Sequence, residues 1–357
     1  MTVRASIELE LPQSKAFDDF VVQLRDSLEA TGIEFSPTQN SEVVEGKIPV
    51  GRVVTLDPPN KIEIEWHTAA TWDPKDSTKL KLEFESVGEN RTKVIVENEG
   101  WGNLVGNTGT QLSEWFAEEI ASNLIKATSP ERFVSWLTDK RARRPSGREA
   151  RQTYRDPIYH RPNFLAILDY LKLGSNDYLL EVGCGGGAFL FDALKSGCKA
   201  AAIDHSHDMV RLAKEVNSLA VEENRLEVRE SEADTLPFSD DIFTCAVSTG
   251  AFSFFDRPEV VLSEILRVLR NNGRLIVFTG SKDLRGTPAA PEPIASQLRF
   301  YEDEELVTLA RKAGFGEAKV ERPSLLHYAE SVGVPKEALS LFSSEGGGGQ
   351  FLIARKV

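Results

Sequence analysis

Cysteine is scarce, with three in 357 residues. Cys184, Cys198 and Cys245 stand in or beside expected strands and show no metal-ligand spacing. A disulfide scaffold and a structural metal site are therefore both excluded as readings, no metal is expected, and the natural setting is a reducing cytoplasm. Long apolar runs are missing too. No stretch approaches the ~20 consecutive apolar residues that cross a bilayer, so no membrane partner is expected. The opening Met1-Thr2-Val3-Arg4-Ala5-Ser6 alternates like a strand, without a signal peptide's apolar run. Positive charge is in deficit: 42 Lys and Arg against 55 Asp and Glu give a net charge of −13. Such a surface repels nucleic acid as a whole. The local exception is Lys140-Arg141-Ala142-Arg143-Arg144-Pro145-Ser146-Gly147-Arg148-Glu149-Ala150-Arg151. Its Pro, Ser and Gly make it read as a solvated basic linker. A docking site for an acidic partner or phosphorylated substrate is the sharper alternative.

What is present centres on Leu180-Glu181-Val182-Gly183-Cys184-Gly185-Gly186-Gly187-Ala188-Phe189. An apolar strand ends in an acid, a glycine loop follows, and an apolar helix opens behind it. Ala200-Ala201-Ala202-Ile203-Asp204 is a second strand ending in an acid. The pattern describes a crossover unit that lays bare backbone and a carboxylate against an adenosine-containing ligand. Gly183 and Gly185 tolerate positive φ and close ligand approach. Asp204 is placed to accept hydrogen bonds from ribose hydroxyls. The same run satisfies the dinucleotide pattern G-x-G-x-x-A, so alone it does not separate a nicotinamide cofactor from a sulfonium one.

The chain downstream resolves that. Ser231-Glu232-Ala233-Asp234-Thr235-Leu236-Pro237-Phe238 precedes Asp240-Asp241-Ile242-Phe243 and the strand Thr244-Cys245-Ala246-Val247-Ser248. Val260–Arg270 and then Gly273-Arg274-Leu275-Ile276-Val277-Phe278 complete a helix and strand. From about residue 150 onward the chain resembles the class I S-adenosylmethionine-dependent methyltransferases, in their small-molecule branch. The resemblance implies S-adenosyl-L-methionine as cofactor and a small-molecule methyl acceptor. It implies that Glu181, Gly183, Cys184, Gly185, Asp204, His205, Glu232, Ala233 and Ser248 surround the cofactor. Glu232 and Ala233 are its adenine-binding pair. Ile203 and Met209 are apolar adenine contacts, with core packing the alternative for Met209. A segment before the first helix, expected at Phe164–Leu173, folds over the cofactor in this family; Tyr154, Tyr159, His160 and Arg161 are its candidates. Thr249–Phe255 would face the acceptor. Thr244 departs from the family, which often has Asp there. The Leu-Pro-Phe segment argues against a nicotinamide oxidoreductase.

The N-terminal part reads differently. Val3, Ala5, Ile7 and Leu9 alternate, Ala16 to Leu28 recur at helical spacing, and alternating runs follow at 48–54, 62–66, 80–84 and 94–96. A long amphipathic segment carries Leu112, Trp115, Phe116, Ile120 and Leu124, and Ser129-Pro130-Glu131 looks like a helix start. The run Gly51–Ile62 ending in Trp66 resembles the START-like superfamily, in the branch related to activators of a heat-shock ATPase. That implies a helix-grip fold, with a hydrophobic ligand held near Trp66, Trp72, Trp101 and Trp115, unless these tryptophans only fill the core. His67, beside Trp66 at a strand end, reads as a surface or hydrogen-bonded residue.

The expected architecture is thus an α+β helix-grip domain over 1–140, a basic linker over 141–155, and a doubly wound α/β methyltransferase domain over 156–357. The latter's mostly parallel seven-stranded sheet is drawn at 178–182, 199–203, 225–229, 243–247, 273–278, 318–321 and 350–355. Residues 323–347 are an insertion that covers the site or merely pads the surface. A methyl group activated by sulfonium needs positioning and exclusion of water, and an O–H, N–H or C–H acceptor can use a general base. His160, His205 and His327 are the candidate bases. A non-catalytic protein that binds cofactor or hydrophobic ligand is the competing function.

Overall fold

The computed structural model describes residues 2–29, 33–67, 77–100, 134–135, 137–287, 290–343 and 349–357. Two compact units divide the chain, Met1–Leu137 and Thr138–Val357.

Among the described residues, seven antiparallel strands form the first unit's sheet. They are β1 (Thr2–Leu9), β2 (Ile33–Glu34), β3 (Glu42–Glu45), β4 (Ile48–Asp57), β5 (Lys61–His67), β6 (Ser77–Gly88) and β7 (Arg91–Glu99), in the order β1-β7-β6-β5-β4-β3-β2. Period-two alternation sets the faces. Leu80, Leu82 and Phe84 of β6 point into the core with Ile62, Ile64, Val94 and Val96. The outward residues between them pair by charge, as Lys81 does with Glu83 at 2.9 Å and with Glu97 at 3.0 Å. Helix α1 (Gln13–Glu29) lays Ala16, Phe17 and Phe20 on this face. Phe17 meets Phe84 edge-on at 5.2 Å between centroids. This sheet gripping a helix is the expected α+β arrangement. Strands β2 and β3 had escaped the sequence reading because two to four residues are too few to show a period. The expected long helix near 112–124, the helix start at 129–131, and Trp72, Trp101 and Trp115 lie outside the described residues. Trp66 closes the core at the end of β5, with its indole N–H buried and unpartnered among the described residues.

The second unit's sheet comprises β8 (Tyr178–Val182), β9 (Lys199–Asp204), β10 (Leu226–Glu230), β11 (Phe243–Thr249), β12 (Leu269–Gly280), β13 (Glu317–Glu321) and β14 (Gly349–Arg355). Its order is β10-β9-β8-β11-β12-β14-β13, parallel through β12, with β14 antiparallel to both neighbours. Both faces are buried, which explains the near-continuous apolar strands. Leu179, Cys245, Val247 and Ile276 face one core, and Leu180, Val182, Ala246 and Val277 the other.

Helices cover both faces: α2 (Gly147–Arg155), α3 (Arg161–Leu171), α4 (Ala188–Ala193), α5 (His207–Val216), α6 (Ser218–Glu222), α7 (Pro258–Val268), α8 (Asp303–Ala313) and α9 (Leu326–Ser331). The expected helix at 164–173 starts at Arg161, with Pro162 in its first turn, and ends where Lys172 turns left-handed at φ 48°. Thr244 ties two strands together at their base. Its hydroxyl donates to Asp177 at 2.7 Å and accepts from the Tyr178 N–H at 3.0 Å.

Two regions differ from their reading. The basic segment is folded chain of this unit. A π-helical turn at Asp139–Arg143 leads into α2, and Asp208 of α5 takes the Gly147 N–H at 2.6 Å and Arg151 at 2.9 Å. In the 323–347 insertion, Leu325, Ala329, Val334, Ala338 and Phe342 join the core that includes α3. The insertion's described part packs into that core, and none of it lines the cavity described below.

Candidate functional site

Strands β8 to β10 progress one way across the sheet, and β11 and β12 the other. The C-terminal ends of β8 and β11 therefore splay apart at a topological switch point, where open α/β sheets bind ligands. A cavity of about 390 Å³ lies there, a volume that suits a small cofactor or substrate.

The glycine loop forms its floor. Gly183 has φ +77°, and a Cβ there would collide with Ala251. Gly186 lies under α2 so closely that a Cβ would overlap the Tyr154 carbonyl and come within 2.8 Å of Leu212. No other residue type fits these two positions unstrained. Asp204, 7% exposed at the end of β9, fixes the loop. Its Oδ2 accepts from the Gly185 N–H and its Oδ1 from the Ser206 N–H, both at 2.9 Å. Burial raises the Asp204 pKa, and those backbone donors partly counter it.

The walls come from five further segments. Ala142, Arg143 and Pro145 approach from the π-helical turn, with Tyr154 from α2 and His160 and Phe164 from the start of α3. Ser231 to Asp234 follow β10, and Thr249 to Ala251 with Phe254 to Arg257 follow β11. His205 ties two of these together: Nδ1 faces Glu232 at 3.4 Å and Nε2 meets the Arg143 carbonyl. Ser206 donates to the Pro145 carbonyl, and Arg144 to the His205 carbonyl at 3.1 Å. Asp234 takes an ion pair from Arg257.

Of the sequence candidates, Tyr154, Gly183, Cys184, Gly185, Asp204, His205, Glu232, Ala233 and His160 all line this cavity. Glu181 lies just behind it, fully buried, with Oε1 accepting from Thr249 at 3.0 Å and Oε2 unpartnered. Burial pushes its carboxyl well above the usual range, and the nearby Asp204 adds to that. Ser248, fully buried, and Met209 are not among the cavity's lining. Met209 packs with Ala150 and Leu212. Tyr159 is half-exposed and outside the cavity, and Arg161 pairs with Asp156 at 2.7 Å instead of reaching in. His327 does not line the cavity, and its ring lies 3.7 Å from that of Tyr328 in α9.

Sequence reasoning missed Arg143 and Pro145, assigned to a linker, and Asp256 and Arg257. Only the family habit of folding an N-terminal segment over the site pointed toward the first pair. Burial also raises the Cys184 thiol well above its ordinary value, so it is a neutral small side chain in the cavity floor.

A doubly wound sheet with this loop at its switch point defines a nucleotide-type binding domain. Residues 180–277 match the family model described as a methyltransferase domain, and residues 28–118 the one described as activator of Hsp90 ATPase homolog 1-like protein. The uncharacterized methyltransferase YodH of Bacillus subtilis is 31% identical over 170 residues, 45% of this chain and 68% of that protein. The chain belongs to the methyltransferase family. The sarcosine/dimethylglycine N-methyltransferase of Halorhodospira halochloris is 32% identical over 131 residues, 36% of this chain and 47% of that protein. The sterol 4-C-methyltransferase strm-1 of Caenorhabditis elegans is 25% identical over 112 residues, 31% of this chain and 34% of that protein. The chain thus spans half or less of the length of these two relatives.

Proposed function

We propose that the second unit transfers a methyl group from S-adenosyl-L-methionine to a small-molecule acceptor. The observation that carries this reading is the glycine cradle, which has no room for a Cβ at Gly183 or Gly186 and is clamped to the carboxylate of Asp204. Asp204 would take the ribose hydroxyls on its remaining lone pairs. Glu232 and Ala233 would hold the adenine edge. Glu181, with one buried oxygen unpartnered, would meet the cationic amino-acid end, and Tyr154 would close over the loop.

When bound, the cofactor supplies a methyl group already activated by its sulfonium. The chain's own residues then orient the acceptor, exclude water and manage a proton. Phe164, Phe254 and Phe255 give the wall for the first two. The named relatives include N- and C-methyltransferases, so the acceptor atom does not follow from kinship.

For the first unit we propose a ligand- or partner-binding role, supported by its match to the activator-related family and by the unpartnered Trp66 indole. A cytoplasmic location fits three cysteines that are all free thiols. No described helix is long and apolar enough to cross a membrane.

Calorimetry with S-adenosylmethionine and S-adenosylhomocysteine tests the proposal. One-to-one binding to the intact chain is expected. Absence of binding under every condition tried would sink it.

A further inference from the structure

His160 is the one histidine of the cavity whose ring is uncommitted. His205 spends both nitrogens on Glu232 and the Arg143 carbonyl. His207 faces Glu230 at 2.9 Å, and His327 lies outside the cavity. Among the described residues neither ring nitrogen of His160 has a hydrogen-bond partner. Its ring lies nearly parallel to Phe164, 6.3 Å between centroids at 20°, and Phe164 is braced edge-on by Phe189. Across from it is Gly250, in the loop after β11, where a Cβ would lie 3.9 Å from the imidazole Cε1. The residue is exposed, and its ring lines the cavity.

Resting on the proposed methyl transfer, we propose that His160 is the base that removes the acceptor's proton, and that the acceptor is an aromatic hydroxyl. The wall argues for the ring: Phe164, Phe254 and Phe255 line the cavity with aromatic side chains, an apolar surface that suits an aromatic acceptor. The base argues for the hydroxyl. A neutral amine already offers its lone pair, and an aliphatic alcohol is too weak an acid for imidazole, whereas a phenol lies within reach. In the step, the phenolic O–H bond breaks and its proton goes to the free imidazole nitrogen. The oxygen's electron pair forms the bond to the methyl carbon, the carbon–sulfur bond breaks with its pair left on sulfur, and the imidazolium returns its proton to solvent.

Protein packed around the ring lowers the His160 pKa, although the residue is exposed on its cavity side. The charges around it do not offset this. Asp156 and Arg161 satisfy each other, and Asp192 of α4 faces Arg161 at 3.9 Å. Asp204, Glu232, Asp256 and Arg257 stand on other walls of the cavity.

The test uses the full chain with labelled S-adenosylmethionine and two probe sets, para-substituted phenols (4-methoxyphenol, 4-chlorophenol, 4-nitrophenol) and the matching benzylamines. Methyl transfer to phenols alone is expected. His160→Gln should lower kcat for 4-methoxyphenol by roughly a hundredfold or more. It should act far less on 4-nitrophenol at mildly alkaline pH, where that probe is already ionised. KM and S-adenosylhomocysteine affinity should stay within about twofold, the range left untouched by a group that acts only on the proton. In protein carrying labelled histidine and saturated with S-adenosylhomocysteine, the imidazole resonance absent from His160→Gln should report a neutral ring at pH 7 and shift on adding 4-methoxyphenol. His160→Asn serves if the first variant does not fold. Transfer to benzylamines alone, or to no phenol by protein that binds the donor, overturns the proposal. So does a cationic ring at pH 7, or an equal loss across all phenols. Failure of the wild type to bind S-adenosylhomocysteine would remove the methyltransferase reading itself, a distinct outcome.

Discussion

Replacing Asp204 with Asn probes the centre of the site without changing its shape. The carboxylate makes two backbone hydrogen bonds at 2.9 Å, one to Gly185 and one to Ser206. An amide has a single acceptor oxygen, so one of those N–H groups would face an NH₂. A buried donor left unpaired costs about 1–3 kcal/mol. Against this, the wild type spends energy keeping a buried charge whose pKa is raised by burial, and the amide does not. The two effects oppose each other, so near pH 7 the variant's stability should lie within about 1–2 kcal/mol of the wild type's. Ligand binding has no such offset. Losing a charged acceptor for the ribose removes about 1.5–3 kcal/mol, roughly ten- to a hundredfold in affinity. The sign of the pH dependence is a second check. The folded pKa of Asp204 lies above the unfolded one, so the folded state binds more protons between them, and wild-type stability falls as pH rises through that window. Asn removes that fall, so the variant gains on the wild type as pH rises from about 4. Calorimetry with S-adenosylhomocysteine and thermal unfolding at several pH values measure both. A well-folded variant that binds within twofold of wild type would refute the assignment of Asp204 to the ligand.

Glu181→Gln should flatten the loss of stability with rising pH. Glu181 is raised further by burial, and one such group contributes a slope of up to about 1.4 kcal/mol per pH unit above its unfolded pKa; urea unfolding from pH 4 to 8 reads it, and an unchanged slope would mean the carboxyl is ionised in the fold. Gly186→Ala should push α2 off the glycine loop at a cost of about 1–3 kcal/mol, seen as a lower melting temperature for the second unit and weaker S-adenosylhomocysteine binding. A melting curve identical to wild type would mean that α2 does not rest on the loop. His327→Ala should leave S-adenosylhomocysteine affinity and methyl transfer unchanged, because the ring packs on Tyr328 away from the cavity. A tenfold loss in either would place α9 at the site.

What could be read in the sequence was whatever local chemistry dictates. Apolar runs ending in Glu181 and Asp204, with glycines between, fix a strand, a loop and a second strand, because only glycine allows that backbone and only an acid serves that ligand end. The alternation of Leu80, Leu82 and Phe84 fixed which face of β6 is buried. The structure decided what depends on distant chain. Met209 faces a core and not a ligand because α2 packs on α5 and buries it beside Ala150, a contact between segments about 60 residues apart. The basic run at 140–151 carries the composition of a linker, yet Asp208, about 60 residues on, pins it beside the cavity. His160 and His327 look alike in sequence. Tertiary packing leaves one imidazole unpartnered in the cavity and sets the other against a tyrosine outside it, because which walls meet at a switch point depends on strand order, and strand order leaves no local mark on the chain.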